Sequence, residues 1–434
     1  MKVTIIRVNM FEKNSSDAMK PLIFPILDSL TPEGIELEFF DDRIEKLPEE
    51  IASDIIVFSA ETFSIKRTYM LSQKYKKDSN ITVVGGFHST VLPEESELYC
   101  DCVLVGDAED TWSKMIEDYQ KGKLKKRYTS KFSRELGYID HYHKAFKGKK
   151  YQPVGIVQFS RGCKFDCDFC SIKSMYRENV RQKNWDIVER ELKVLKEKIL
   201  FFIDDNLFYN KESFFKFLQI IKPLKKRWVC QISLEIAFQD DMLEEMKKSG
   251  CFMVLIGFES MNSLNLQQMN KKANLTISDY DSAVENIYKH GLLIYGTFIF
   301  GYDYDTLENV KGTIDFAHKH NFAVANFNPL IPMPGTKLYD RLEKSERLLY
   351  KKWWLEEGYR YGDTVYTPVG MSPKDLKNLC KNARFEFYSI KNILKRLIKN
   401  KLHLSLKNMW IYLLINIVSR KEIHLKQGRV LGGR

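Results

Sequence analysis

The chain has 434 residues, 44% of them apolar and 29% charged, and a formal net charge of +11 at pH 7. That length allows two or three domains around a large core, and that balance excludes a disordered or fibrous chain. Its eight cysteines are too few for a disulfide framework, and its lysines are spread over helix-like segments with no arginine-rich tail or zinc-finger pattern, so no nucleic-acid partner is expected.

The first residues, Val3–Val8, read as a strand rather than a signal peptide, because no long apolar core or small-residue cleavage site is present. A reduced, cytoplasmic setting is therefore expected. A helix is predicted near Lys20–Leu30 and strands at Glu36–Phe40, Ile55–Ser59 and Ile81–Val84. A crossover helix at Thr68–Lys77 and a strand at Val103–Val105 precede a helix at Asp110–Gln120. This rhythm predicts an α/β, doubly wound parallel sheet over residues 1–125, with ligands beyond the C-terminal strand ends. The loops at those ends carry Ser59 and Thr62, then Gly85-Gly86-Phe87-His88-Ser89-Thr90, then Gly106-Asp107-Ala108-Glu109. Glycines admit a ligand close to the backbone, and hydroxyls can bond to it. Taken locally, Gly85-Gly86 is a tight turn and His88 a hydrogen-bonding histidine. No GxGxxG follows the first strand, which argues against a dinucleotide.

Residues 126–150 are charged and read as a linker. A second strand–helix series then runs over residues 151–345. Strands are expected at Val154–Phe159, Ile199–Ile203, Trp228–Ile232, Phe252–Gly257, Leu292–Phe300 and Ala323–Phe327. The intervening helices are Asp186–Glu197, Lys211–Ile221, Asp240–Ser249, Asp279–Lys289 and Thr306–His318. Six such units predict a partial (β/α)6 TIM-like barrel with its chemistry at the C-terminal strand ends. After the first strand comes Cys163-Lys164-Phe165-Asp166-Cys167-Asp168-Phe169-Cys170. Three thiols can hold three irons of a four-iron cluster and leave the fourth iron for a small molecule. Structural zinc would need a second close pair, and Cys230 and Cys251 stand alone in apolar segments that read as core.

Other strand ends carry polar groups. Asp204, Asp205 and Asn206 form an acidic edge, or a helix cap and turn. Gln231 and Glu235 flank the next strand end, Gly257-Phe258-Glu259-Ser260 the one after, and Phe298-Ile299-Phe300-Gly301-Tyr302-Asp303 the fifth. Asn328-Pro329-Leu330-Ile331-Pro332-Met333-Pro334-Gly335-Thr336 makes a stiff loop. Residues 346–434 read as a mainly helical extension. Trp353 and Trp354 in it could gate a cavity or simply pack. The apolar run Met409–Val418 is too short to span a bilayer. Basic residues Lys401, Lys407, Arg420 and Lys421 flank it, and it reads either as a buried helix or as an interfacial one touching a membrane.

The cysteine segment resembles the CxxxCxΦC signature of the radical S-adenosylmethionine (SAM) enzymes, with Phe169 at the aromatic position. The resemblance implies a [4Fe-4S] cluster on Cys163, Cys167 and Cys170, and SAM on the remaining iron. It further implies SAM contacts from Asp204, Asp205 and Asn206, from Gln231 and Glu235 at the ribose, from Gly257 and Glu259 at the methionyl end, and from the backbone of Phe300 and Gly301 at the adenine. Residues 1–125 are similar to the cobalamin-binding domain that precedes many such barrels, on GGxHxT…P (Gly85 to Thr90, then Pro93) and on Gly106-Asp107-Ala108-Glu109. That likeness implies cobalamin contacts from Ser59, Thr62, Gly85, Gly86, His88, Thr90, Gly106 and Glu109. The DxHxxG lower-ligand motif is absent from Asn9–Asp17, so the resemblance implies either cobalamin held without an axial histidine, the favoured reading, or a degenerate domain without cobalamin. Arg384-Phe385-Glu386-Phe387-Tyr388 and the basic helix after it look like tails of the same group, some of which act on lipids, isoprenoids or tetrapyrroles. The expected activity is methyl transfer to an unreactive carbon of a small-molecule or lipid substrate, with a reductant such as flavodoxin or ferredoxin. Cyclisation, oxidation or carbon–carbon coupling is the alternative radical outcome, and a non-catalytic cobalamin/iron–sulfur regulatory module the non-enzymatic one.

Overall fold

The computed structural model describes residues 1–132, 135–139, 142–176, 180–400 and 406–433. Six strands form the first sheet: β1 (Lys2–Arg7), β2 (Glu36–Asp41), β3 (Ile55–Ser59), β4 (Ile81–Gly85), β5 (Cys102–Val105) and β6 (Arg127–Thr129). All pair in parallel, in the order β2-β1-β3-β4-β5-β6. Val3, Ile5, Ile55, Ile56, Val83, Val84 and Val103 are fully buried, as a parallel sheet covered on both faces requires. The stretch expected as a linker contributes a strand: β6 adds to β5 beyond residue 125. Its three-residue length and charged neighbours leave almost no pattern to read.

The second sheet starts with β7 (Val154–Val157). A short antiparallel ribbon, β8 (Ser160–Arg161) against β9 (Arg181–Gln182), brackets the cysteine loop. Strands β10 (Ile199–Phe202), β11 (Arg227–Ile232), β12 (Cys251–Glu259), β13 (Leu293–Phe300) and β14 (Val324–Pro329) follow. With β7 they make a six-stranded parallel sheet in the order β14-β13-β12-β11-β10-β7. Sequential order with a helix after each strand is the open-barrel arrangement. Helices Trp185–Val194, Lys211–Ile221, Asp240–Lys248, Tyr280–Lys289 and Leu307–Lys319 cover it. Two expected first helical residues, Asp279 and Thr306, are instead N-caps whose side chains accept from Ser282 N and Asn309 N.

Beyond the barrel come helices Lys337–Lys344, Pro373–Phe387, Ile390–Asn400 and Leu406–Lys426. The extension packs on the first domain: Trp353, Trp354, Tyr359, Val365 and Leu431 share one core with Ile6, Val8, Ile56 and Phe58. Trp353 and Trp354 are thus packing residues, donating to Pro332 O (2.9 Å) and Glu95 Oε1 (3.0 Å). Helix Leu406–Lys426 buries Tyr412 and Asn416 and exposes Trp410, Leu414 and Ile417. The run Met409–Val418 therefore has one face inward and one outward. Lys401 and the Lys407 side chain lie outside the described residues. No helix among the described residues is long and apolar enough to cross a membrane.

Candidate functional site

The cysteine loop leaves β8 and is tied down at every turn. Asp204, fully buried after β10, accepts from the backbone amides of Phe159 (3.2 Å) and Ser160 and from the Ser160 hydroxyl (2.6 Å). Asp205 accepts from Gly162 N at 2.8 Å. Asn206 accepts from Ser233 N, and the Gln231 side chain donates to Asp205 O. The acidic edge expected to meet a ligand thus spends its hydrogen bonds on the loop itself. Farther along, Asp168 N donates to Met269 O and Leu338 N to Asp168 O. The Asp168 carboxylate accepts from Tyr302 Oη (2.6 Å) and faces Arg341.

Cys163, Cys167 and Cys170 are unbonded thiols on this loop. Burial pushes all three pKa values up, Cys167 to about 12 and Cys170 to about 11, and thiol–thiol proximity adds to both. Metal binding must therefore displace their protons. No trio of His, Cys, Asp or Glu among the described residues closes on a single ion.

Lys271, absent from the sequence expectations, stands beside these thiols. Burial alone would lower its pKa, but Glu259, Cys167 and Cys170 raise it, so the ammonium stays charged. It pairs with Glu259 at 2.8 Å and lies 5.9 Å from the Phe169 ring centroid. Glu259 has a left-handed φ of 61°, which turns its carboxylate back over Gly257. A Cβ on Gly257 would meet Glu259 Oε1 at 2.1 Å, so any side chain there would push the carboxylate out of its place. Glu235 accepts from Ser233 and pairs with Lys164, two residues before Asp166, at 3.1 Å. Phe300 is a core residue, packed on Phe298 and Phe327. The backbone expected to read adenine is occupied: Gly301 N donates to Asp305, Gly301 O accepts from Tyr366, and Phe300 O accepts from Leu330.

A cavity of about 390 Å³ lies at the C-terminal ends of β1, β3, β4 and β5 and opens toward the barrel. Ser59, Gly85, Gly86, Gly106 and Glu109 line it, with Gln158, Arg161 and Ile203 from the barrel. Gly86 has φ 120°, and a Cβ there would strike Ala60 O at 2.3 Å. Thr62, His88 and Thr90 stand off this wall. His88 is fully buried and kept neutral by burial; its Nε2–H donates to Glu95 (3.0 Å) and its Nδ1 accepts from Thr62 (3.3 Å). Thr90 bonds Gly86 O and Gly106 N, bracing the two glycine turns against each other. Glu109 and Asp107 grip Arg161 at 2.9 and 3.2 Å, and Asp107 also holds Arg181. The acidic turn thereby ties the first domain to the ribbon that carries the cysteine loop.

No histidine lines the cavity among the described residues. The Asn9–Asp17 loop is drawn elsewhere: Glu422 accepts from Ser16 N (2.7 Å), Lys426 pairs with Asp17 (2.8 Å), and Gly432 N donates to Met10 O (2.8 Å). Glycine-walled space at strand ends, rimmed by arginines and hydroxyls, suits a large planar cofactor with polar arms and supplies no imidazole to it.

A second cavity, about 280 Å³, lies between Phe63 of the first domain, Phe169 of the cysteine loop, the end of β14 and the loop after it (Asn328 to Ile331, and Met333), and Tyr359, Tyr361 and Arg384 of the extension.

Residues 157–317 match the Radical SAM superfamily. Among curated relatives, the bacteriochlorophyllide d C-12(1)-methyltransferase of Chlorobaculum tepidum is 28% identical over 398 residues, 88% of this chain and 86% of the relative. The anaerobic magnesium-protoporphyrin IX monomethyl ester cyclase of Rubrivivax gelatinosus is 22% identical over 406 residues, 85% and 72% of the two chains. Among solved structures, the radical SAM methyltransferase TsrM of Kitasatospora setae, with cobalamin and a [4Fe-4S] cluster bound, superposes with a TM-score of 0.62 at 14% identity. That match covers 87% of this chain and 81% of that one, and it establishes a shared two-domain fold.

Proposed function

We propose that this radical SAM enzyme, with its radical SAM domain over residues 157–317, is a cobalamin-dependent methyltransferase acting on an unreactive carbon. The observation that carries the reading is the first-domain cavity, which opens onto the barrel with Arg161, two residues before Cys163, in its wall. Two cofactor sites thus face each other across one ion-paired seam. The methyltransferase names borne by relatives over most of this chain's length support the same outcome.

When bound, a [4Fe-4S] cluster with SAM supplies a 5′-deoxyadenosyl radical and cobalamin supplies the methyl group. The chain's own residues hold and align. Cys163, Cys167 and Cys170 ligate iron. Glu259, paired with Lys271 beside the thiols, can accept from the SAM amino group, and Lys271 places a positive charge beside the anionic thiolates. Asp204 and Asp205 fix the loop backbone. Ser59, Gly85, Gly86 and Gly106 would cradle cobalamin. An external reductant such as flavodoxin or ferredoxin supplies the electron.

Anaerobic reconstitution followed by incubation with cell extract and methyl-labelled SAM tests the reading. A labelled product is expected from the native chain and none from Cys163→Ala. A 5′-deoxyadenosine-dependent product of unchanged carbon count would overturn methyl transfer and select ring closure or oxidation, the outcome named by the cyclase relative.

A further inference from the structure

The 280 Å³ cavity has aromatic and aliphatic walls, Phe63, Phe169, Ile299, Leu330 and Tyr361 among them, and among the described residues no acid lines it. One cation enters it. Arg384, on helix Pro373–Phe387, is 8% exposed, with Nε donating to Cys380 O (3.3 Å) and Nη2 to Gln427 Oε1 (2.7 Å). Among the described residues it has no carboxylate partner, and its Nη1 makes no hydrogen bond to them. The Asn328 amide lies on the same wall. Arg384 thus carries its charge at the cavity wall with neutral partners only, and such a guanidinium can still take an acid. A planar fork with one face free and an amide beside it match a carboxylate in geometry and charge.

We propose that this cavity binds an apolar molecule bearing a carboxylate, with Arg384 and Asn328 holding the carboxylate and the aromatic walls presenting the hydrocarbon body to the cysteine loop at Phe169. This names the substrate class for the enzyme and rests on the reading that the loop at Phe169 initiates the radical. The probe is 1-pyrenebutyrate against its methyl ester, titrated by fluorescence into the anaerobic, cluster-loaded, full-length protein. The acid is expected to bind about tenfold or more tightly than the ester. Arg384→Gln should erase the difference, Arg384→Lys should keep part of it, and Asn328→Leu, which leaves the Gln427 contact intact, should reduce it. Equal binding of acid and ester, no saturable binding of either, or an acid preference surviving in Arg384→Gln would overturn the subsite. SAM cleavage in the same preparation separates the two readings. Acid-selective binding without cleavage condemns the radical reading alone, and cleavage without acid selectivity condemns the subsite alone.

A different observation points to a lipid surface. Helix Ile390–Asn400 exposes Ile390, Leu394 and Ile398 in one stripe, beside the exposed lysines Lys391, Lys395 and Lys399. The neighbouring helix Leu406–Lys426 exposes Trp410 (75%), Leu414 and Ile417. Residues 390–421 contain no Asp or Glu. An apolar stripe flanked by cations, with a tryptophan at its edge, matches an anionic bilayer surface, and the geometry points to peripheral docking there. Flotation with phosphatidylcholine vesicles, with and without phosphatidylglycerol, tests it. Salt-sensitive binding to the anionic vesicles is expected, lost in Leu394→Ser/Ile398→Ser and in Trp410→Ser. Failure to float, retained flotation in both variants, or a dimer in sedimentation that both variants dissolve would overturn it.

Discussion

At the scale of single residues, a histidine and a glycine show how context assigns roles. His88 lies in a stretch that resembles a cofactor loop, yet it bonds Glu95 and Thr62 in the interior. Glu95 in turn accepts from Trp354 (3.0 Å) and faces Lys352 (3.0 Å), so it joins the first domain to the extension. Burial works to raise the Glu95 carboxyl, and His88, Lys352 and Trp354 outweigh it, leaving a pKa of about 2 against an ordinary 4.5. A depressed carboxyl stabilises the fold above its unfolded pKa and loses that contribution as pH falls through its folded one. Glu95→Gln should therefore lower stability by about 1–3 kcal/mol near neutrality, and urea midpoints of the two proteins should converge between pH 4.5 and about 2. Gly257 is simpler. A methyl there would sit 2.1 Å from Glu259 Oε1 and 3.0 Å from Lys271 Nζ. Gly257→Ala should leave the circular dichroism spectrum intact and slow SAM cleavage by roughly 10–100-fold, the usual result of displacing a group that aligns reactants.

At the scale of elements, the ribbon β8–β9 is where the two sheets are fastened. Arg161 and Arg181 project from it onto Asp107, and Arg161 also onto Glu109, all buried or nearly so. The two acids belong to the turn after β5, so a motif that looked like a ligand loop is also the anchor of the cysteine loop. Removing one partner leaves a buried charge uncompensated. Arg161→Met should cost about 3–5 kcal/mol in chemical denaturation. Replacing Arg161 together with Asp107 and Glu109 by apolar residues should restore much of that loss, a contrast that distinguishes a desolvated ion pair from a cavity. The ribbon itself was not legible in the sequence: two-residue strands carry no periodicity, and the partners of Arg161 are more than 50 residues away.

At the scale of the whole molecule, the domains share their cores. One core runs from Val3 and Ile5 of the first sheet and Trp112 of the helix after β5 through Tyr142 and Phe146 into the barrel, and a second joins the other face of the first sheet to Trp353, Trp354 and Tyr359. The chain's end returns to its start, with Glu12 N donating to Gly433 O at 3.0 Å. Calorimetry of the metal-free chain should accordingly show one cooperative transition rather than two. Trp354→Ala should lower its midpoint, the truncation costing about 3–5 kcal/mol; two separated transitions would mean that the shared cores do not couple the domains.

The sequence by itself determined the strand–helix series of the two parallel sheets, short of β6, and singled out three closely spaced thiols as the candidate cluster site. Those features rest on local information: apolar runs of strand length, helix-like stretches between them, and three thiols within eight residues. Only the tertiary structure decided which polar strand-end groups face open space. Asp204, Asp205, Gly301 and His88 are bonded within the protein, while Lys271, Arg384 and Asn328, from three separate stretches, stand at the thiols or the cavity. A hydrogen-bonding group is chemically the same in either role. Which role it takes depends on partners far away in the chain, and those partners meet only when the chain has folded.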